Sequence, residues 1–335
     1  VKTLVTGVGG FLGGAIASQL LDSGMEVRTL SRRPLPEWRE RGVEVIRGDL
    51  TSLEDVEQAT RGVSLVYHVA AKAGIWGSYA DYWDANVAGT EHVIAACHKH
   101  GVGRLIYTSS PSAVSDGQEC LGANEDKPYP ENFMNHYCET KCRAEQRALA
   151  AHGQHGLSVV ALRPHLIWGP GDPHLVPRVV RSHDSGRLRR VGAGRNLVDM
   201  CYIDNAAEAH LLAAKDLSAT SPHGGKAYFI SNGEPICLWE WIDFIMEGLG
   251  RPPVRRSVTT SQAWWAGAFL EWTYKTLRLS GEPPMTRYAA YQLGTSHYFD
   301  ISAARRDFGY QPRIGYQEGM QRMLSHFQEV FRSSR

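Results

Sequence analysis

Tyr137 and Lys141 stand four residues apart and follow a serine-rich segment, Tyr107-Thr108-Ser109-Ser110. That spacing puts both side chains on one face of a helix. A phenol ionises near pH ~10, and a neighbouring ammonium favours its anion, so a lysine beside a tyrosine makes a usable acid–base group. The chemistry this suits is carbonyl reduction. As hydride reaches a carbonyl carbon, negative charge grows on the oxygen, and a positioned donor must stabilise and then protonate it. The same spacing recurs on solvated helix faces, so it carries weight only where the rest of the chain builds a hydride site beside it.

The opening of the chain builds one. Val1-Lys2-Thr3-Leu4-Val5-Thr6-Gly7-Val8-Gly9-Gly10-Phe11-Leu12-Gly13-Gly14 precedes an apolar-periodic run ending near Asp22-Ser23-Gly24. It reads as strand, glycine turn and helix, in which glycines let the backbone approach a pyrophosphate at the helix N-terminus. Leu12 sits where the last glycine of Gly-x-Gly-x-x-Gly would fall, so the working triplet is Gly7, Gly10 and Gly13, with Phe11 and Leu12 on the same turn. At the end of the second strand an acid would accept from the adenine-ribose hydroxyl, whereas a cation would meet a 2′-phosphate. Ser31-Arg32-Arg33 follows Leu30, and no acid occurs between Glu26 and Glu37. Arg32 and Arg33 therefore favour NADP(H) over NAD, against the plainer reading of both as loop surface.

Thr6-Gly7-x-x-Gly10-x-x-Gly13, Gly48-Asp49-Leu50, Val69-Ala70-Ala71, Asn86-Val87-Ala88-Gly89-Thr90, Thr108-Ser109-Ser110, Tyr137-x-x-x-Lys141 and Leu162-Arg163-Pro164 occur in that order. Together they resemble the extended short-chain dehydrogenase/reductase superfamily. Val198-Asp199-Met200-Cys201-Tyr202 and Asp300-Ile301-Ser302-Ala303-Ala304-Arg305 extend the likeness nearly end to end. The resemblance implies a catalytic set of Ser110, Tyr137 and Lys141, with Lys141 also binding the nicotinamide ribose. Ser110 rather than Ser109 matches when counted along Thr-Ser-Ser. It further implies that Asp49 and Leu50 contact adenine and that Ala70, Ala71, Asn86 and Pro164 line the cofactor; Asn86 also reads as a turn or cap residue. Ala70 to Gly77, Tyr107 to Ser112 and Tyr202 to His210 are similar to the 3β-hydroxysteroid dehydrogenase-like branch, and within it to β-ketoreductases of bacterial long-chain olefin biosynthesis. The implied reaction is NADPH-dependent reduction of a long-chain 2-alkyl-3-oxoalkanoic acid. The alternatives are a 3β-hydroxysteroid or sterol-4-carboxylate dehydrogenase, a nucleotide-sugar epimerase or dehydratase, and a nonenzymatic dinucleotide sensor.

The elements needed to hold these residues are visible as a pattern. Glu26–Leu30, Val43–Ile46, Leu65–Val69, Arg104–Thr108 and Ser158–Leu162 are short, rich in β-formers and separated by amphipathic stretches. They predict an α/β fold, a Rossmann-type doubly wound parallel sheet covered on both faces. With 335 residues, 43% of them hydrophobic, the chain suits a second lobe. The expected division is a dinucleotide domain over 1–165, rejoined by 197–231, and a substrate lobe from 166–196 and 232–335. A homodimer is expected.

A net charge of +1 argues against a nucleic-acid binder, and the local run Arg178, Arg181, Arg187, Arg189, Arg190 and Arg195 reads as solvated surface or an anion contact. Six scattered cysteines and fourteen histidines lack metal-site spacing, so no metal is expected and the thiols read as reduced. With no secretory opening and no bilayer-length apolar run, a cytoplasmic location is expected. Residues 263–279, with Trp264, Trp265, Phe269 and Trp272, read as the roof of a hydrophobic substrate pocket, a peripheral membrane contact, a partner surface or a buried helix.

Overall fold

The computed structural model describes residues 2–333; Val1, where the opening strand was expected to start, lies outside them. The core is a seven-stranded parallel sheet in the order Ala227–Ile230, Ser158–Pro164, Arg104–Thr108, Leu65–His68, Lys2–Thr6, Glu26–Ser31, Glu44–Arg47. All five expected strands are present, Arg104–Thr108 with the expected bounds and the others with ends shifted by at most two residues. Strand order reverses between Lys2–Thr6 and Leu65–His68, the position where a doubly wound sheet opens a crevice at its carboxyl ends.

Both faces are covered because successive residues point to opposite sides. Leu4, Val66, Leu105 and Val159 pack with the helices Leu53–Thr60, Gly89–His100 and His136–Ala150. Val5, Tyr67, Ile106 and Val160 instead join the cluster holding Ile16 and Ala17 of Phe11–Asp22 and Ala206 of Ile203–Lys215.

A smaller sheet orders Ile236–Cys237, Leu197–Val198, His297–Phe299 and Cys120–Ala123. Residues 120–123 and 197–198 fall in ranges expected for the dinucleotide domain but pair here instead, with His297 opposite Cys120 and Val198. These strands are two to four residues long and sit at chain crossings, which periodicity does not reveal.

The aromatic stretch forms the helix Thr260–Thr276, started by a capping box between Thr259 and Gln262. It buries only Ala263 and Gly267. A Cβ on Gly267 would lie 2.5 Å from the Thr286 carbonyl carbon, so this face approaches the next segment backbone to backbone. Trp265, Phe269 and Trp272 are more than 60% exposed. The buried-helix reading is thereby corrected: the small residues face inward, and the aromatic ones face out.

Within the arginine run, Arg190 is part-buried against Asp243 and the Val254 carbonyl, while Arg178, paired with Glu282, and Arg181, Arg187 and Arg195 lie exposed. All six cysteines are free, and among the described residues no group of side chains is placed to hold a metal ion. No described helix is long and apolar enough to cross a membrane.

Two buried histidines tie the sheet to its helices. His68 Nδ1 is 2.9 Å from Thr6 Oγ1 and its Nε2 is 3.0 Å from Thr90 Oγ1, while His210 bridges Thr108 Oγ1 and the Ala206 carbonyl. Burial holds His68 down to about 3 and His210 to about 4. Because the unfolded imidazoles titrate near ~6.5, the unfolded chain takes up protons first as pH falls, and stability is lost. Urea midpoints should therefore drop between about pH 6.5 and 5, by roughly 1 kcal/mol per histidine, above the range of ordinary carboxylates. A flat midpoint across that window contradicts the assignment of both rings as neutral.

Candidate active site

Asn135 caps the helix His136–Ala150 by accepting from the Cys138 amide at 2.9 Å, which fixes the helix start next to Tyr137. Ser110 stands at the end of Arg104–Thr108, where its Oγ accepts from the Ser112 amide at 3.2 Å. Ser110 and Tyr137 line one cavity of about 210 Å³. Ser109 does not line it: its amide donates to the Leu162 carbonyl at 2.6 Å and its side chain is buried. Burial pushes the Tyr137 phenol up to about 12, opposed by a hydrogen bond from Ser110.

Lys141 turns away from the expected partnership. Its ammonium donates to the Thr108 carbonyl at 2.6 Å and sits 4.7 Å from the centre of the Tyr107 ring. Burial drives it down to about 7, partly offset by Glu145. Lys141 does not lower the Tyr137 pKa in this state: burial sets the direction of the phenol's shift, and the ammonium is engaged by the Thr108 carbonyl instead. Glu145 is itself held by Arg163 through contacts of 2.9 and 2.6 Å and by the Tyr129 hydroxyl at 2.7 Å, which locks the Tyr-Lys helix onto Ser158–Pro164.

The glycine turn fits a dinucleotide. Gly7 has φ +80°, and a Cβ there would meet Ala70 at 3.1 Å; a Cβ on Gly13 would come within 2.2 Å of the Gly7 carbonyl oxygen. Gly10 caps Phe11–Asp22 without a side chain, and no acid occupies its first turn, which leaves N–H groups for an anion. Phe11 is half-buried, and the Leu12 side chain packs into the core, so Leu12 offers the turn only its backbone. Arg33 Nη2 reaches the Gly9 carbonyl at 3.4 Å, while exposed Arg32 lies 3.8 Å from Asp49. Leu50 packs beside Gly89, and Ala70 donates its amide to Thr6 Oγ1 at 3.0 Å, with Ala71 next along. Pro164 ends its strand opposite Ile230.

Asn86 is neither a cap nor a turn residue. It lies inside the helical stretch Trp83–Ala88, accepts the Lys72 amide at 2.7 Å and donates to Thr140 Oγ1 at 3.1 Å.

Sequence reasoning missed much of the cavity wall. Lys127, His165, Tyr288, Tyr291 and His297 all line it. His165 directly follows the quoted Leu162-Arg163-Pro164, and its partner Asp199 lies in the quoted Val198-Asp199-Met200, so the residues were in view but their convergence was not. The aromatic helix is absent from the lining of this cavity.

Residues 4–259 match the 3-beta hydroxysteroid dehydrogenase/isomerase family. The chain belongs to that family. It is an oxidoreductase of the extended short-chain dehydrogenase/reductase group. It is 49% identical over 326 residues to the 2-alkyl-3-oxoalkanoate reductase of Stenotrophomonas maltophilia, covering 96% of this chain and 98% of that one. The sterol-4-alpha-carboxylate 3-dehydrogenase, decarboxylating, of Mus musculus is 32% identical, with 98% and 91% covered. Among solved structures, MoeE5 in complex with UDP-glucose and NAD superposes with a TM-score of 0.76 at 26% identity, over 99% of this chain and 100% of that one.

The buried lysine has a measurable cost. An unfolded lysine keeps its proton to about pH 10.4, whereas Lys141 in the folded chain releases it near 7, so stability should rise with pH between those values. Lys141→Met should stabilise the cofactor-free protein at pH 8 and flatten that rise, as read by denaturant midpoints. A destabilised methionine variant at this pH is the contrary result.

Proposed function

We propose that this oxidoreductase reduces a long-chain 2-alkyl-3-oxoalkanoic acid to the 3-hydroxy acid with NADPH. The observation that carries the reading is the 49% identity, across nearly the whole of both chains, to a reductase named for that substrate. The glycine cradle of Gly7, Gly10 and Gly13, with Arg32 and Arg33 beside it, would hold the dinucleotide; when bound, its nicotinamide supplies the hydride. Tyr137 protonates the nascent alkoxide, and Ser110, which shares its cavity, hydrogen-bonds the same oxygen. Lys141, held on Thr108, lies one turn from Tyr137 and supplies the charge that lets the phenol give up its proton once the site is filled. A cavity of about 210 Å³ is smaller than the roughly 300–1,000 Å³ of drug-sized pockets, so it receives the polar head of the substrate while the alkyl chains extend beyond it.

The sterol-carboxylate reading keeps some support from the 32% identical relative. Turnover of NADPH against β-keto acids, 3-ketosteroids and nucleotide sugars separates these classes, and the β-keto acids should be reduced fastest. Tyr137→Phe should lower kcat about 10²–10⁴-fold while leaving cofactor affinity nearly intact, since only the proton donor is deleted. Near-normal turnover at saturating cofactor would remove Tyr137 from the mechanism.

Cofactor choice is tested separately. Arg32→Ala should weaken NADPH binding roughly tenfold to a hundredfold, the worth of a charge-assisted hydrogen bond, and leave NADH binding little changed. Equal loss for both cofactors in a fluorescence titration, or a parent that prefers NADH, refutes the phosphate assignment.

A further inference from the structure

The titratable groups lining the Ser110–Tyr137 cavity include Lys127, His165 and His297, and among the described residues no Asp or Glu lines it. Lys127 and His165 each pair with an acid outside the lining. Lys127 Nζ donates to Asp116 at 2.9 Å, and His165 Nδ1 meets Asp199 at 2.5 Å. Asp199 is fully buried, and its second oxygen accepts the Phe299 amide at 3.0 Å. Lys127 therefore presents its ammonium to the cavity with its counter-charge behind it, and His165 lines the wall in front of Asp199.

The two histidines are tied into one chain. His297 Nε2 is 3.0 Å from the Gln292 carbonyl, which only accepts, and His297 Nδ1 is 3.1 Å from His165 Nε2. The chain Asp199–His165–His297–Gln292 thus engages all four ring nitrogens and fixes both rings in the wall. Burial and the neighbouring ring hold His297 down to about 4. Ser115 also lines the cavity; its buried hydroxyl lacks a partner of good hydrogen-bond geometry, with the Tyr291 hydroxyl nearby.

We propose that this cavity is a carboxylate receptor: Lys127 holds the substrate's carboxylate, with Ser115 donating to it and the His165–His297 pair, braced by Asp199, shaping the wall beside them, while the ketone oxygen meets Ser110 and Tyr137. The proposal rests on the reductase reading above and adds the residues that select an acid. An ammonium and a hydroxyl on a wall without a carboxylate attract an anion and give a neutral ketone or ester no comparable gain.

The test uses the full chain in the oxidative direction, where substrates are stable. With NADP+, kcat/KM is compared for a long-chain 2-alkyl-3-hydroxyalkanoic acid, its methyl ester and the secondary alcohol lacking the carboxyl group. The acid should exceed both neutral compounds by about 10- to 100-fold, mainly through KM, as one or two charge-assisted contacts provide. Lys127→Gln should lower the acid-to-alcohol ratio about tenfold, and Lys127→Arg should restore it. Equal efficiency for acid and alcohol in the parent overturns the receptor without recourse to any variant. A ratio untouched by Lys127→Gln removes Lys127 from it. If the parent oxidises none of the three but turns over a sterol or nucleotide sugar, the reductase reading itself fails.

Discussion

A single buried chain of hydrogen bonds couples the glycine turn to the Tyr-Lys helix, and the rest of the site depends on it. Thr6 Oγ1 accepts the amides of Val69 and Ala70, both at 3.0 Å, so its proton goes to His68 Nδ1. His68 must then donate from Nε2 to Thr90, because the Thr90 hydroxyl spends its own proton on the Asn86 carbonyl at 2.6 Å. Asn86 closes the chain through Thr140, the residue before Lys141. Every donor and acceptor has one consistent role, and that requires a neutral His68. A fully satisfied buried network specifies one arrangement, since each broken contact strands a group away from water.

Electrostatics at the site follow from the same dryness. Tyr137 and Lys141 are each pushed toward their neutral forms, and the cation is steadied by a carbonyl and a ring rather than by a carboxylate. The one full carboxylate near the helix core, Glu145, is spent on Arg163 and Tyr129. Removing one partner of such a buried pair typically costs ~3–5 kcal/mol because the other charge is left uncompensated. Glu145 is therefore a structural anchor, bound to Arg163 and Tyr129 rather than to Tyr137.

The cofactor half was legible in the sequence and the substrate half was not, for a physical reason. Strand ends, the glycine turn and the Tyr-x-x-x-Lys spacing are local patterns, and the parallel sheet brings their carboxyl ends together once the strands are recognised. The cavity wall is assembled from Ser115, Lys127, His165 and His297, which strands of two to four residues in the smaller sheet help bring near one another. Such strands carry no periodicity. The aromatic helix misled for a related reason: Trp265, Phe269 and Trp272 look like core by composition, but the small residues Ala263 and Gly267 mark the face that packs, a signal that a close helix approach would have suggested.

This division of labour bears on how one fold serves different substrates. The turn around Gly7, Gly10 and Gly13 tolerates little change, since a Cβ at Gly13 would strike the Gly7 carbonyl oxygen at 2.2 Å. The wall opposite Ser110 and Tyr137 is under no such constraint, because its residues come from separate segments whose backbones meet only through short pairings. Exchanging Lys127 leaves the glycine turn and the strand ends that carry Ser110 and Tyr137 untouched. The glycine turn is thus built by the larger sheet, and much of the opposing cavity wall by the smaller sheet and the loops it gathers.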